Sequence, residues 1–304
     1  MYLFRKQHDW GLELTGFGRP FGLGFDLNGN LIVTDMDTHA IVKFNDEMST
    51  YTLHNGGESW GGELAVEAGV SSCKPKCRPV HWNGPHSVAS DTKGRLFICC
   101  YYRPQVVTLM PSGKPIDVID RKILEGPATA SIDQSGAMFV TEYAQNLVLK
   151  FSLDGTYVGR LGRSATGKLY KYDSELGSVP SSAMPGGFDR PHMAVSLTDG
   201  SLIVADTWND RLQRFSEDGE LLSPMGGHVS RPVSVDQDRL GRVLVTCWGN
   251  DELVLYDASS QSLGVKNIPV LNKPYDARFY REGIVVADSL NGRVLVIDRL
   301  IEDI

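Results

Sequence analysis

The stretch that decides the fold starts at Arg190-Pro191-His192-Met193-Ala194-Val195-Ser196 and continues through Asp199-Gly200 to Leu202-Ile203-Val204-Ala205-Asp206. It consists of a proline, an apolar run, a short turn with glycine, and a second apolar run that ends on a carboxylate. Glycine in the turn supplies the positive φ that a hairpin turn requires. The stretch therefore predicts two antiparallel strands joined by a tight turn.

The same pattern recurs six times along the chain. The units begin at Pro20-Phe21, Pro85-His86, Pro127-Ala128, Pro191-His192, Pro232-Val233 and Pro274-Tyr275. Their second apolar runs end at Asp35, Cys100, Glu142, Asp206, Cys247 and Asp288. The offset between the two positions, as from 192 to 206, is 14 residues in five units and 13 in the sixth. Such regular spacing indicates an internal structural repeat.

A third apolar run follows in most units, and a weaker fourth follows in units such as that of residues 156–161. Four antiparallel strands per unit, repeated six times, predict an all-β, six-bladed β-propeller that forms one domain over residues 1–304. The last unit ends after its third run, and residues 11–18 have the pattern of a fourth strand. We therefore expect this N-terminal strand to complete the last blade and close the ring.

Two segments exceed the repeat, at about residues 55–82 and 163–189. Both are rich in Gly, Ser and Pro, and this composition predicts loops. Each segment directly precedes a Pro-His unit, so both loops are expected over the same mouth of the propeller.

The runs Val204-Ala205-Asp206-Thr207-Trp208-Asn209-Asp210-Arg211 and Val286-Ala287-Asp288-Ser289-Leu290-Asn291-Gly292-Arg293 resemble the signature of NHL repeats. The resemblance covers nearly the whole chain, while units 2 and 5 carry Cys at the Asp position. It implies the NHL type of six-bladed propeller, a family that includes both enzymes and binding scaffolds.

Composition limits the classes of partner. The formal net charge of −7 argues against a phosphate-binding surface, so nucleic acid is not an expected partner. The N-terminal residues lack the apolar core of a signal peptide, and no apolar window has the length of a membrane span. Five cysteines, an odd and low number, are typical of a reducing compartment. These features predict a cytoplasmic protein without a membrane partner.

The connectivity of a propeller brings two sets of residues to one mouth. The first strand of each blade starts there, and the antiparallel second strand ends there. The residues after the prolines form one ring: Phe21, His86, Ala128, His192, Val233 and Tyr275. The ends of the second strands form another: Asp35, Cys100, Glu142, Asp206, Cys247 and Asp288. Long loops over such a scaffold are where binding sites concentrate.

Imidazoles and carboxylates in one annulus can hold a divalent metal, and His86, His192 and Asp206 are the candidate ligands for zinc or calcium. Peptidylglycine amidating lyases, which this pattern resembles, are six-bladed propellers with three zinc-binding His in Pro-His motifs on alternate blades. This chain matches Pro85-His86 and Pro191-His192 and has Pro274-Tyr275 in the third place. Hydrogen-bonded imidazoles packed at the rim are the alternative interpretation.

Other residues of the two rings have competing interpretations. Asp206 and its equivalents close a turn in NHL repeats by accepting backbone N–H groups, which competes with metal ligation. Glu142, which is longer, and Tyr275 are candidates to move a proton in catalysis. The alternative for Tyr275 is rim packing. Cys100 and Cys247 are expected to be small buried residues.

Three residues are candidates for substrate binding: Phe21 in the first ring, and Arg190 and Arg78, which border the mouth and could bind an anionic group. A solvated rim is the alternative for the cations. Cys73-Lys74-Pro75-Lys76-Cys77, followed by His81, has either the residues of a zinc knuckle or those of a loop with free thiols.

These observations support two main hypotheses on function. The first is a metal-assisted lyase or hydrolase that acts on a small polar substrate at the central mouth and needs no organic cofactor. The second is a non-catalytic scaffold that binds a protein, peptide or glycan on the loop-bearing face. RNA binding, which also occurs in NHL propellers, fits the acidic balance least well.

Overall fold

The structure of the protein is a computed structural model that describes residues 2–54, 60–61, 64–65, 67–68, 84–119, 122–164, 166–173, 177–223, 225, 228–263 and 268–299. These residues form six antiparallel sheets arranged as the blades of a propeller. Among them, the only helical elements are two 3-10 turns, at Thr207–Asn209 and Ser289–Asn291. The predicted all-β, six-bladed propeller is confirmed.

The strands of each blade follow in chain order from the axis outward. Blade 1 contains Pro20–Phe25, Leu31–Asp35, Ala40–Phe44, Thr50–His54 and Leu64–Ala65. Blade 2 contains Pro85–Ser90, Leu96–Cys100, Gln105–Leu109 and Pro115–Ile119. Blade 3 contains Pro127–Ile132, Ala137–Glu142, Leu147–Ser152, Tyr157–Arg163 and Leu169–Asp173. Blade 4 contains Met193–Ser196, Leu202–Asp206 and Arg211–Phe215. Blade 5 contains Pro232–Gln237, Val243–Cys247 and Glu252–Tyr256.

Blade 6 combines both parts of the chain. Its first three strands are Pro274–Tyr280, Gly283–Asp288 and Arg293–Ile297. The N-terminal strand Gly11–Thr15 is the fourth and pairs with the third, from Gly11 opposite Ile297 to Thr15 opposite Arg293. Ring closure by the N-terminal strand is therefore observed. A further strand, Phe4–His8, pairs with Gly11–Thr15 and extends the blade outward.

The outer strands differ from the prediction of four per blade. In blades 4 and 5 the fourth strand is reduced to single bridges, Phe215 with Leu221 and Tyr256 with Ser262. In the sequence, Pro224 and Gly264 follow closely, and neither residue type favours a longer ladder. Blade 3 has the opposite departure, because Leu169–Asp173, expected within a loop, pairs with Tyr157–Arg163 as a fifth strand. Its two Tyr side chains, of a residue type common in strands, suit this position.

The first strands of the six blades surround the axis. Each contacts the first strand of the next blade, and that of blade 6 contacts that of blade 1. The approach is close at Gly22, where a Cβ atom would lie 2.6 Å from Ser87 Cα. Buried Val, Ile, Leu and Phe side chains fill the space between neighbouring blades. The rigid first strands therefore fix the residues after the prolines, which start them at one mouth.

In the described part of the chain, no helix has the length and apolar character that crossing a membrane would require.

Candidate functional site

Four side chains from four different blades meet at the centre of the mouth. The ring centres of His86 and His192 lie 5.0 Å apart. Tyr275 lies 5.5 Å from His86 and 4.9 Å from His192. Phe21 stacks on Tyr275 at 3.7 Å and meets the His86 ring edge-on at 4.8 Å. We call these four residues the central cluster. The structure thus brings together four of the site residues that the sequence suggests.

Both imidazoles of the central cluster are held in the same way. His86 Nδ1 lies 2.9 Å from the carbonyl oxygen of Ala128, and His192 Nδ1 lies 2.9 Å from that of Val233. Each carbonyl belongs to the residue after the proline of the next blade. Because a carbonyl can only accept, Nδ1 carries the proton and Nε2 is left with its lone pair. Neither Nε2 atom has a hydrogen-bond partner among the described residues.

Burial keeps both imidazoles neutral. His86 and His192 are 5% and 4% exposed. Desolvation lowers the pKa of His192 to about 4. Desolvation, followed by the proximity of His192, holds the pKa of His86 well below its usual range. At neutral pH both rings therefore present an unprotonated Nε2 atom, the form that binds a metal ion or accepts a hydrogen bond.

Tyr275 is positioned to donate a hydrogen bond. Burial raises the pKa of its phenol, so the hydroxyl stays protonated at neutral pH. Its ring is fixed between Phe21 and the two imidazoles. These surroundings suit a proton donor better than a base.

The carboxylates at the ends of the second strands lie behind the central cluster and anchor it. Asp35 accepts the N–H groups of Gly18 and Arg19. The equivalent Asp288 accepts the N–H group of Asn272 at 2.7 Å. Each bond ties the end of a second strand to the segment that leads into a Pro-x motif. These aspartates therefore position the first ring of residues, as the turn-closing interpretation expects.

Asp206 has the same role in blade 4. Its Oδ1 atom accepts the N–H of Asp189 at 2.8 Å, and its Oδ2 atom accepts from Asn209, Arg211 and Gln213. Both oxygens are committed to these partners. In the described ranges, no group of three His, Cys, Asp or Glu side chains is arranged to hold a metal ion. Asp206 therefore does not complete a three-residue metal set with the two imidazoles.

Glu142 occupies the equivalent place in blade 3 but has no cationic partner among the described residues. Its Oε2 atom accepts the N–H groups of Gly126 at 2.9 Å and Glu125 at 3.3 Å. Its Oε1 atom is buried without a hydrogen-bond partner. Desolvation raises the pKa of Glu142 to about 8. A fully buried side chain cannot touch a substrate in the mouth, so the geometry gives Glu142 an anchoring position and leaves its predicted part in proton transfer as a hypothesis.

Glu142 is expected to make stability depend on pH. In the unfolded chain its pKa is near 4.5, and in the folded protein it is about 8. Between these values the folded state binds this proton and the unfolded state does not. The stabilisation of the folded state by this proton is complete below pH 4.5 and is lost as pH rises through 8. We expect the free energy of unfolding to fall by up to about 1.4 kcal/mol per pH unit more in the wild type than in Glu142→Gln. Denaturant titrations from pH 5 to 8 measure this, and equal slopes in both proteins would contradict it.

Arg190 lies at the exposed rim beside the Pro191-His192 motif. Its guanidinium carbon is 5.8 Å from the ring centre of Tyr143 and 4.8 Å from that of Trp208. The other candidates from the first long segment, namely Arg78, Lys76, His81, Cys73 and Cys77, lie outside the described residues. The side chains of Cys100 and Cys247 are fully buried, as small core residues are expected to be.

Three aromatic residues near the centre were not expected from the sequence. Tyr101 lies 5.7 Å from His86, and Tyr143 lies 6.4 Å from His192, measured between ring centres. Trp208 donates its indole N–H to the Tyr143 hydroxyl at 3.2 Å. Each follows the end of a second strand by one or two residues. Aromatic residues at this repeated offset are the signal that would have predicted them.

A cavity of about 760 Å³ opens at the end of the axis opposite the central cluster. It is lined by the far ends of the first strands, and Arg278 lies in its wall. The Arg278 guanidinium is 3.0 Å from Asp276 and 3.5 Å from Asp236. Asp276 also accepts the N–H of Leu23 at 2.9 Å, so this charge network joins blades 5, 6 and 1. The buried charges are therefore paired with one another and have a structural role in holding these blades together.

Comparisons with known proteins agree with the propeller and do not assign a family. No family model matches the chain. An alignment over 147 residues, which covers 44% of this chain, shows 29% identity to mouse peptidyl-glycine alpha-amidating monooxygenase. The alignment covers only 14% of the mouse protein. The chain therefore spans a small part of the curated relatives that it matches.

Solved structures show the same fold at low identity. The virginiamycin B lyase of Staphylococcus aureus aligns with a TM-score of 0.59 and 12% identity over 94% of this chain and 98% of that chain. A gluconolactonase from Xanthomonas campestris aligns with a TM-score of 0.62 and 14% identity over 94% of this chain and 89% of that chain. At such identities the likeness is one of fold. It shows that propellers of this shape include enzymes.

Proposed function

We propose that the protein is an enzyme that acts as a lyase or hydrolase on a small polar substrate at the central mouth. The observation that carries this proposal is the pair of neutral imidazoles from alternate blades. Each is fixed through Nδ1 and leaves Nε2 without a partner among the described residues. Two imidazole nitrogens without a hydrogen-bond partner in the described part of the chain are available to a ligand at this mouth.

The residues suit a divalent metal with two protein ligands. In metal sites the second ring nitrogen of a ligating His is commonly bonded to a backbone carbonyl, as in both imidazoles here. His86 and His192 would hold the ion, with Tyr275 beside it. Imidazole favours zinc or another transition metal over calcium, which prefers oxygen ligands. Such an ion would polarise a substrate carbonyl or lower the pKa of a water molecule.

The remaining side chains of the mouth have separate tasks in this proposal. Tyr275, protonated at neutral pH, donates a hydrogen bond or a proton to the oxygen that gains charge. Phe21 and Tyr101 present apolar ring surface that excludes water from one side of the substrate. Asp206 and Asp288 keep the Pro-x segments in register, so the reacting groups remain in place without reorganisation.

Profiling of small molecules tests this proposal without a known substrate. The protein is incubated with a metabolite extract, and mass spectrometry follows which compounds are consumed and formed. We expect at least one compound to be converted, and conversion to fall at least 100-fold in His192→Gln. His8→Gln is the matched control, because His8 lies on the outer edge of blade 6. An absence of any conversion, with a protein or glycan retained instead, would favour the non-catalytic scaffold.

A further inference from the structure

Cations and indoles alternate along the rim next to the central cluster. Arg190 lies 4.8 Å and Arg231 4.5 Å from the ring centre of Trp208. Arg231 and Lys273 lie 5.4 Å and 4.8 Å from the ring centre of Trp248. We call these five residues the rim ladder. It runs across blades 4, 5 and 6, and both guanidinium groups lie close to Trp208.

The two guanidinium groups lack anionic partners. Lys273 pairs with Asp251 at 3.2 Å, whereas neither Arg190 nor Arg231 has an ion pair among the described residues. A guanidinium that lies over an indole keeps its N–H edge free, and this edge binds carboxylate or phosphate oxygens in pairs. In a chain of net charge −7, two such groups side by side are a local positive site.

The three cations of the rim ladder share an unusual backbone conformation. The residues before the prolines in blades 4, 5 and 6 are Arg190, Arg231 and Lys273, with φ angles of 49°, 44° and 49°. The equivalent residue of blade 2 is Gly84, with a φ of 70°. Glycine adopts this conformation without strain, while other residues pay about 1–3 kcal/mol.

Bonds from the preceding blades hold this conformation. The N–H of Arg190 donates to Asn146 Oδ1 at 2.9 Å, and the N–H of Arg231 donates to Asp210 Oδ1 at 2.7 Å. Trp208 is fixed in turn by its bond to Tyr143. Hydrogen bonds thus hold the backbone of Arg190 and Arg231 and the side chain of Trp208 in place.

We propose that the rim ladder binds a small ligand with two oxyanion groups, one on Arg190 and one on Arg231, with the edge of Trp208 between them. The guanidinium carbons lie 4.8 Å and 4.5 Å from the Trp208 ring centre, so the sum of these distances limits their separation to about 9 Å. With C–C bonds of about 1.5 Å, the carboxylates of linear dicarboxylates from adipate to suberate can reach both guanidinium groups at such a separation. Nucleic acid fits less well, because the chain carries a net charge of −7.

Calorimetry with a series of dicarboxylates from malonate to suberate tests this proposal, with hexanoate as the monoanion matched to adipate. We expect an affinity maximum at an intermediate length, at least 10-fold above hexanoate, and weakening with added salt. Trp208 fluorescence, identified by its loss in Trp208→Phe, should change with the same midpoint. Equal binding of adipate and hexanoate, or no binding at millimolar concentrations, would overturn the proposal.

Glycine variants keep the test independent of folding. Arg190→Gly and Arg231→Gly remove the side chain and relieve the positive φ, so both should melt at or above the wild-type temperature. Each is expected to lower adipate affinity at least 10-fold, and Arg239→Gln, an exposed cation on the opposite face, should not change it. Unchanged affinity in both glycine variants, or ladder-dependent binding of RNA in place of dicarboxylates, would overturn the proposal. Binding at the rim ladder needs no turnover, so its failure is separable from failure of the proposed enzyme function.

Discussion

Turnover and metal retention are expected to fall together, at least 100-fold, when His86 or His192 is replaced by Ala. Each imidazole contributes one Nε2 atom to the shared centre, and a two-ligand site cannot keep its ion after losing either. The double variant should be no worse than the single variants, because residues that act as one unit are not additive. Elemental analysis of the purified proteins, with the turnover found by metabolite profiling, measures both quantities.

The controls for this prediction separate chemistry from folding. Removing an imidazole leaves the carbonyl of Ala128 or Val233 without its donor, which costs about 1–3 kcal/mol. His→Gln variants at the two positions keep a donor, so thermal unfolding should stay close to wild type while metal is lost. His8→Ala should retain both metal and turnover. Full metal content in the double variant would contradict the proposed centre.

Removal of the N-terminal closing strand is expected to unfold the protein. A chain that begins at Phe17 loses Gly11–Thr15, which pairs along the third strand of blade 6, and loses the fully buried Leu3 and Leu14. Loss of one buried Leu side chain alone costs roughly 2–5 kcal/mol. The loss of two buried Leu side chains and a row of backbone hydrogen bonds therefore costs nearly the whole free energy of unfolding of a domain, about 5–15 kcal/mol.

Strand complementation shows that the effect comes from closure. A synthetic peptide of residues 1–16 added to the truncated chain should restore cooperative unfolding, measured by circular dichroism. The same peptide with Leu14→Asp should fail, because it places a charge at a fully buried position. A truncated chain that melts like the wild type would contradict the closure of the ring by this strand.

Much of the fold could be predicted because its signals are local and repeated. The spacing from His192 to Asp206, which recurs in the other units, predicts two strands joined by a turn. Six copies of this unit predict a closed ring. The convergence of His86 and His192 follows from connectivity, since first strands of a propeller all start at one mouth. The outer strands were less predictable, because their formation depends on the edge of a neighbouring strand. Leu169–Asp173, for example, pairs with the edge of Tyr157–Arg163.

The details of the site depend on contacts between blades that no repeat pattern encodes. Glu142 has the same position in the repeat as Asp206, yet in the part of the chain that the structure describes its carboxyl has no arginine partner. Only the packing shows that it is buried. The rim ladder joins residues of three blades, and its cations were expected only at Arg190. Arg78 and the Cys73–Cys77 pair lie outside the described residues and stay predictions.

The central claim is that two Nε2 atoms from alternate blades face one shared ligand. Nitrogen-15 spectra of histidine-labelled protein during a zinc titration test it most directly, with His86→Gln and His192→Gln used to assign the signals. The account predicts that both rings start as the Nδ1–H tautomer and that both Nε2 signals shift together, saturating at one zinc per chain. Movement of only one ring, or two separate saturation points, would contradict it.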